Sequence, residues 1–137
     1  MEAVSRMYRA LETQDIGELA YQALLEEVYT TPKPGLVDLA TNGAHTDMDV
    51  HTFEQSAQAL RPWFGRMTFA GEIFPGTPRE LFQKIRTYGI LAELEMYRAT
   101  CGVNTHKGLI FTMGIFCAAA GRLKKERKRI GIKELVQ

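Results

Sequence analysis

The fold class is decided by residues 77–102, which read TPRELFQKIRTYGILAELEMYRATCG. Thr77 is suited to cap a helix, Pro78 to occupy its first position and Glu80 to complete a capping box. Apolar residues then recur at helical spacing as far as Gly102, a residue type that commonly ends helices. The stretch therefore predicts one long amphipathic helix. The residues expected on its buried face are Leu81, Ile85, Leu91, Leu94 and Tyr97.

Other segments follow the same helical period, and no segment alternates like a strand. A helix is expected to begin at Asp15 and must end before Pro32, because the residue before a proline disfavours helical geometry. A shorter amphipathic helix is expected over residues 1–11. The expected buried positions of the helix that begins at Asp15 are Ile16, Leu19, Ala20, Ala23, Leu24 and Val28.

The chain after residue 50 predicts two more helices besides the one after Thr77. One has an apolar face made of Phe53, Ala57, Leu60 and Phe64, and Pro62 is expected to kink or split it. The last is expected from Thr105 to Ala120, and its alanine-rich, nearly uncharged body predicts a central buried helix. A further helix is expected to restart over residues 130–137. Residues 1–137 are therefore predicted to form a single all-α domain, a multi-helix bundle with one long functional loop.

The composition indicates a small soluble protein. The chain has 137 residues, is 45% hydrophobic and carries a formal net charge of +1. No apolar run is long enough to cross a bilayer, and the first residues do not resemble a signal peptide, so we expect a cytoplasmic protein without a membrane partner. The two cysteines, Cys101 and Cys117, have neither disulfide-scaffold nor metal-site spacing, and we expect both to be reduced.

Charge is distributed unevenly along the chain. Residues 122–137 form a basic tail with seven basic and two acidic residues, whereas acidic residues exceed basic ones in the rest. Such a run is most often a solvated face, although it also suits contact with polyphosphate or an acidic partner. Because no aromatic residues are interleaved with the basic ones, we expect no nucleic-acid binding.

The motif GVNTHKG at residues 102–108 combines a helix start, an imidazole and an ammonium within one turn. Asn104 or Thr105 is suited to cap the helix that follows, and free amides at a helix N-terminus attract anions. Lys107 adds a full positive charge, and His106 lies beside it. The motif predicts phosphate binding, although an ordinary glycine-flanked helix junction would have the same appearance.

The loop from Thr31 to Val50 is too long for a mere connector. Asp38, Asp47 and Asp49 are hard oxygen ligands suited to Mg²⁺, and Lys33 is a cation suited to phosphate. His45 can donate, accept or titrate near neutral pH. A purely structural interpretation also exists, in which Asp47 or Asp49 caps the next helix and the prolines stiffen the backbone.

The glycine-flanked motif and the long loop belong to two longer patterns. The first comprises EVY at residues 27–29, PKPGLVD at 32–38, NGAH at 42–45 followed by Asp47-Met48, and Thr52-Phe53 with Ser56. The second comprises Gly89-Ile90, Ala92-Glu93, Met96, Ala99-Thr100 and residues 102–108, followed by Ile110-Phe111. Both patterns resemble, in the same order and at similar separation, those of the triphosphoribosyl-dephospho-coenzyme A synthase family over about residues 18–123.

The resemblance implies an enzyme that uses ATP as a sugar donor. Such an enzyme takes ATP and dephospho-coenzyme A, expels adenine and joins the triphosphoribosyl group to a ribose hydroxyl of the coenzyme. The product is the precursor of the prosthetic group carried by the acyl carrier subunit of citrate lyase or malonate decarboxylase. The triphosphate is retained, so the site must hold phosphates without cleaving them.

The chemistry implied by the resemblance has three requirements, to which we assign candidate residues. Charge on the phosphates is expected to be neutralised at the helix start and by Mg²⁺. A carboxylate is needed near the ribose carbon, where positive charge develops, and a base or acid must manage protons. The substrate-binding candidates are Lys33, Gly35, Asn42, Asn104, Thr105 and Lys107. The catalytic candidates are Glu27, Asp38, Asp47, His45 and His106, and the metal candidates are Asp38, Asp47 and Asp49.

The resemblance covers only the front part of the family pattern. Family members carry a further helical half, and nothing after Gly121 resembles it. A bundle without that half should expose apolar surface, so we expect self-association or a complementary C-terminal half. Two other functions stay open, namely a catalytically silent nucleotide-binding or assembly module and an all-α Mg²⁺-dependent nucleotide hydrolase.

Overall fold

The computed structural model describes residue 2, residues 15–31, residue 37 and residues 48–136, with side chains described through residue 127. These residues form four helices: α1 (Ile16–Tyr29), α2 (Val50–Ile73), α3 (Pro78–Ala99) and α4 (Lys107–Val136). The described residues contain no strand, and the predicted all-α class is confirmed. The helix predicted over residues 1–11 lies outside the described residues apart from Glu2. None of the helices within the described ranges has the length and apolarity needed to span a membrane.

The helix starts follow from short-range hydrogen bonds that the sequence encodes. The Asp15 carboxylate accepts the N–H of Glu18 at 3.3 Å. The Thr77 hydroxyl accepts the N–H of Glu80 at 3.2 Å, and Pro78 occupies the first turn as predicted. Each cap satisfies a backbone donor that has no partner inside the helix, which fixes where α1 and α3 begin.

Helix α2 organises the bundle, because it packs against each of the other three helices. Its Leu60, Phe64 and Met67 are fully buried, together with Ile85 of α3 and Ile110 of α4. The helices α2 and α4 cross closely at small residues. A Cβ placed on Gly71 would overlap the backbone of Ala118, and one on Gly121 would overlap the carbonyl of Thr68. Glycine at these positions therefore permits the close contact between α2 and α4.

The structure corrects two predictions about helix boundaries. Pro62 lies inside α2 without splitting it, since the helix is continuous over Val50–Ile73 and the proline is exposed, and the alternative of a kink stays a prediction. The last helix begins at Lys107 rather than Thr105 and continues without a break to Val136. The basic tail is thus part of α4 and not a separate helix that restarts at residue 130.

Some predicted buried positions are also wrong. On α3, Leu91 and Leu94 are exposed, and the buried positions after Ile85 are Gly89, Ala92 and Met96. On α1, Leu19 and Ala23 are exposed. The predicted central burial of α4 holds for one face only, because Ile115 and Phe116 are 43% and 67% exposed. Within the described residues, other helices cover only part of the circumference of each of these helices.

The first residue of the basic tail has a structural role. The Arg122 guanidinium donates to the carbonyl of Phe74 at 2.7 Å and to that of Gly76 at 2.8 Å. These carbonyls lie at the end of α2 and in the turn to α3. Arg122 therefore fastens the α2–α3 connection to α4, and its charge is not simply a solvated part of the tail.

Candidate functional site

The site is built on the turn that joins α3 to α4. Helix α3 ends at Ala99, and Cys101 and Gly102 both take positive φ angles of 55° and 91°. The N–H of Gly102 donates to the carbonyl of Tyr97 at 2.7 Å, which closes the helix end. A left-handed cysteine is strained, since glycine is the residue that adopts this conformation freely.

The Thr100 side chain, which is buried, holds this turn in place. Its hydroxyl lies 2.9 Å from the carbonyl of Met96 and 2.8 Å from that of Val103, and it accepts the N–H of Val103 at 3.1 Å. One side chain thus joins the last turn of α3 to the segment that enters α4. The motif at residues 102–108 is consequently held rigidly against the end of α3.

His106 is buried at the start of α4, with 7% of its surface exposed. The backbone N–H of His106 points at the sulfur of Met96 at 3.3 Å. The imidazole ring packs edge to face against the ring of Phe53, with the centroids 5.1 Å apart. Its carbonyl accepts the N–H groups of Leu109 and Ile110, which begins the helical pattern of α4. Helices α2 and α3 together therefore fix the position of this imidazole.

A chain of hydrogen bonds reaches His106 from α2. The Thr105 hydroxyl donates to Ser56 Oγ at 2.6 Å, and Ser56 Oγ lies 2.7 Å from His106 Nδ1. The other ring nitrogen, Nε2, is buried and has no hydrogen-bond partner among the described residues. Thr105 therefore bonds to α2 instead of capping α4.

Burial lowers the pKa of His106 from 6.5 to about 4, because an apolar environment disfavours the imidazolium. The negative charge of Glu27 acts in the opposite direction and raises the pKa by a smaller amount. The imidazole is accordingly neutral near pH 7.

The neighbouring residues supply a cap and a charge. Asn104 Oδ1 accepts the N–H of Lys107 at 3.3 Å, which confirms Asn104 as a capping residue. The Lys107 ammonium lies 3.4 Å from a carboxylate oxygen of Glu93 on α3, and its side chain remains 53% exposed. Glu93 thus ties α3 to α4 and holds the lysine at the surface of the site.

These groups line a cavity of about 610 Å³ at the start of α4. Glu27 and Leu24 reach it from α1, and Phe53 reaches it from α2. The part of the second pattern from Asn104 to Gly108 forms much of its wall, and Val37 and Met48 also line it. Of the candidate site residues, the structure therefore brings Glu27, Asn104, Thr105, His106 and Lys107 together.

Most candidates from the long loop lie outside the described residues. These are Lys33, Gly35, Asp38, Asn42, His45 and Asp47. Asp49 is described, and its carboxylate accepts the N–H and hydroxyl of Thr52 at 2.9 Å and 3.0 Å in a capping box that starts α2. Those hydrogen bonds lower the pKa of Asp49. The capping interpretation is therefore confirmed for Asp49.

Two aromatic side chains near the bundle core, Tyr29 and Trp63, have structural contacts. The Tyr29 hydroxyl donates to Glu54 at 2.7 Å, which raises the pKa of Tyr29. Trp63 packs against the core beside Tyr88, and the guanidinium of Arg66 lies over its ring. Neither aromatic residue lines the cavity at the start of α4.

The sequence patterns include two polar residues that build the site, but they assigned neither of them a role there. Ser56 lies on the apolar face of α2, and Thr100 lies at the end of α3, and both are buried. A polar side chain at a core position of an amphipathic helix usually has a hydrogen-bond partner, which was the available signal for Ser56. Nothing in the local sequence identifies His106, fifty residues away, as that partner.

Comparison with known proteins relates the chain to several bacterial synthases. A protein of Photobacterium profundum named "Probable 2-(5''-triphosphoribosyl)-3'-dephosphocoenzyme-A synthase" is 53% identical over 110 residues, which cover 80% of this chain and 35% of that protein. A protein of the same name from Vibrio cholerae is 49% identical, with coverages of 84% and 37%. The "2-(5''-triphosphoribosyl)-3'-dephosphocoenzyme-A synthase" of Haemophilus ducreyi is 51% identical, with coverages of 80% and 34%.

The chain thus spans about a third of the length of these relatives. No solved structure matches it significantly. Residues 13–136 match the family described as ATP:dephospho-CoA triphosphoribosyl transferase, and this range includes both patterns and all of the cavity wall. The chain therefore belongs to the ATP:dephospho-CoA triphosphoribosyl transferase family.

Proposed function

We propose that this chain transfers the triphosphoribosyl group of ATP to dephospho-coenzyme A and releases adenine. The observation that carries the proposal is the cavity at the start of α4. Glu27 from the first pattern lines it together with Asn104, His106 and Lys107 from the second. Family membership gives the reaction to which this cavity is assigned. The product would be the prosthetic-group precursor of a citrate lyase or malonate decarboxylase acyl carrier protein.

The start of α4 is the proposed phosphate site. Lys107 supplies a positive charge at the exposed edge of the cavity, and the helix N-terminus capped by Asn104 adds a positive partial charge. Thr105 completes this turn through its bond to Ser56. We assign Lys33, Gly35 and Asn42 to the same substrate from their place in the first pattern.

Mg²⁺ is proposed as the cofactor, with Asp38, Asp47 and Asp49 as its ligands. The described residues contain no group of three side chains suited to a metal. Asp49 has fitting donor chemistry, because its lowered pKa keeps it ionised and an ionised carboxylate is a hard oxygen ligand. Bound Mg²⁺ would neutralise part of the charge of the triphosphate.

In the proposed reaction, the bond from the ribose carbon to adenine breaks and a bond from that carbon to the coenzyme hydroxyl forms. Positive charge develops on the ribose carbon, which a carboxylate stabilises, and the candidates are Glu27, Asp38 and Asp47. The hydroxyl must lose a proton and the departing adenine must gain one. His45 and His106 are the proposed groups, and His106 is a poor acid for adenine because it is neutral near pH 7.

The proposed partners extend beyond the substrates to a second polypeptide. An apolar groove of about 440 Å³ lies between α3 and α4, and Phe82, Ile115 and Leu123 line it while remaining 51%, 43% and 59% exposed. Exposed apolar surface of this kind favours association, either of two copies or with a complementary C-terminal half. A monodisperse monomer in sedimentation analysis would contradict self-association. We also propose that the protein acts in the cytoplasm.

The test is adenine release from ATP and Mg²⁺, measured with and without dephospho-coenzyme A and followed by mass analysis of the coenzyme. Adenine release that requires the coenzyme, with a triphosphoribosyl adduct as product, supports the transferase. ATP binding without adenine release would instead support a nucleotide-binding or assembly module. Free phosphate or ribose without the coenzyme would support the nucleotide hydrolase.

Variants locate the site within the same assay. We expect Lys107→Ala and Asp47→Ala each to weaken ATP binding or turnover at least about tenfold, because each removes a charge from the phosphate or metal site. Lys84→Ala is the matched control, since it removes an exposed lysine of α3 that does not line the cavity. Parent-like behaviour of both site variants would refute the assignment of the site.

A further inference from the structure

Ser56 carries a hydroxyl into the apolar core of the bundle. It is 0% exposed and lies on the face of α2 that also carries the buried residues Ala57 and Leu60. A buried hydroxyl is costly unless it is hydrogen-bonded. Its two contacts are with Thr105 Oγ1 at 2.6 Å and His106 Nδ1 at 2.7 Å, so its place in the core is explained by the start of α4.

The hydrogen bonds at Ser56 have two possible arrangements, which differ in the tautomer of His106. If Thr105 donates to Ser56, the single hydrogen of Ser56 is left for His106 Nδ1, and the neutral imidazole carries its own hydrogen on Nε2. If Ser56 donates to Thr105 instead, Nδ1–H donates to Ser56 and Nε2 accepts. Donation from Thr105 to Ser56 gives the first arrangement, in which Nε2 is a donor.

That Nε2 donor is buried and has no partner within the described residues. A buried donor left unsatisfied is unfavourable, and native proteins rarely keep one without a reason. His106 lines the 610 Å³ cavity, and a ligand acceptor that displaced the groups covering Nε2 would satisfy this donor.

We propose that Ser56 is a positioning residue that holds His106 as its Nε2–H tautomer, and that His106 donates this N–H to an acceptor atom of the nucleotide bound in the cavity. The nature of the ligand rests on the proposed function, whereas the tautomer does not. His106 then binds and orients the nucleotide, and His45, the other proton-transfer candidate named above, is left to act on the attacking hydroxyl.

The neutral charge state agrees with this role. Burial depresses the pKa of His106, so that the ring stays neutral near pH 7 and donates as an uncharged N–H. Glu27 on α1 is the charged group whose field raises that pKa, and its effect is the smaller one.

The first experiment measures the tautomer by ¹⁵N NMR of the imidazole in the full chain near neutral pH. We expect the Nε2–H form in the parent and a mixture of tautomers in Ser56→Ala. Thr112→Ala is the matched control, because it removes an exposed threonine hydroxyl from the same region of α4 and should leave the ring unchanged. An Nδ1–H tautomer in the parent would overturn the positioning role.

The second experiment measures the affinity for ATP with Mg²⁺ by calorimetry. His106→Gln keeps an N–H donor near the position of Nε2, whereas His106→Asn places its amide nearer to Nδ1. We expect the Asn variant to bind ATP between about threefold and tenfold more weakly than the Gln variant, and Ser56→Ala to lose a similar factor. A merely structural role would weaken both His106 variants equally.

The outcomes separate the inference from the proposed function. If the parent shows the Nε2–H tautomer and binds ATP, equal affinities of the Gln and Asn variants overturn donation to the nucleotide. If the parent does not bind ATP, the nucleotide ligand fails together with the proposed function, while the tautomer measurement still decides the role of Ser56.

Discussion

Burial of His106 makes the stability of this protein depend on pH in a predictable direction. Its pKa is about 4 in the folded chain against an ordinary value of 6.5. Below about pH 6.5 the unfolded chain therefore binds a proton that the folded chain does not bind. The contribution of neutral His106 to the free energy of unfolding is fully present above pH 6.5 and is lost as the pH falls toward 4.

The size of the effect follows from these two values. Lowering the pH from about 7.5 to about 5 should remove about 2 kcal/mol from the free energy of unfolding through His106 alone. Few carboxylates gain a proton in this range, so histidines dominate the change. We expect His106→Gln to lose about 2 kcal/mol less than the parent over the same interval.

The assay is urea denaturation of the parent and His106→Gln at both pH values. The matched control is His51→Gln, because His51 is exposed and does not line the cavity at the start of α4. NMR titration of the parent gives an independent reading, even if His106→Gln folds poorly. An equal loss in parent and variant, or titration of folded His106 near its ordinary pKa, would refute the reasoning.

Four further predictions concern packing and the helix ends. Gly71→Ala should destabilise by more than about 1 kcal/mol because its Cβ meets the α4 backbone, whereas Gly65→Ala has open space and should be neutral or stabilising, as urea denaturation will show. Cys101→Gly should raise the free energy of unfolding by about 1 kcal/mol by relieving a left-handed backbone, and an unchanged melting temperature would contradict this. Arg122→Met should cost about 1 to 3 kcal/mol through its two lost carbonyl bonds, measured by thermal unfolding. Burial raises the pKa of Cys117 to about 11, so a thiol reagent at about pH 8 should label only the exposed cysteine until the chain is unfolded.

The sequence predicted features that depend on neighbours along the chain. Asp15 and Thr77 cap their helices through residues only three positions away, so a short motif suffices to recognise them. Burial was predicted less well, because it depends on which helix covers each face. Leu91 and Leu94 match the helical period, yet α3 turns Gly89 and Ala92 inward, and Gly89 allows the Phe111 ring to approach closely.

In the candidate site, too, the residues of one short motif were predicted from the sequence, whereas contacts between distant segments were not. Asn104, His106 and Lys107 belong to one short motif that predicted all three as candidates, and all three line the same cavity. Ser56 meets His106 across fifty positions, so its role depends on how α2 packs against the start of α4. The loop candidates, such as His45 and Asp47, stay predictions because they lie outside the described residues.

At the start of α4, the charged side chain lies at the surface and the neutral one lies in the core. Lys107 is charged and 53% exposed, and Glu93 holds it, whereas His106 is neutral and 7% exposed. Burying a neutral imidazole costs much less than burying an ammonium, so the sequence can place only the former deep in the bundle. A nucleotide bound as proposed would therefore have its phosphates at the exposed edge beside Lys107 and a less charged part beside His106. This polarity suits a transferase that retains the triphosphate, because the bond that breaks lies at the sugar and away from the phosphates.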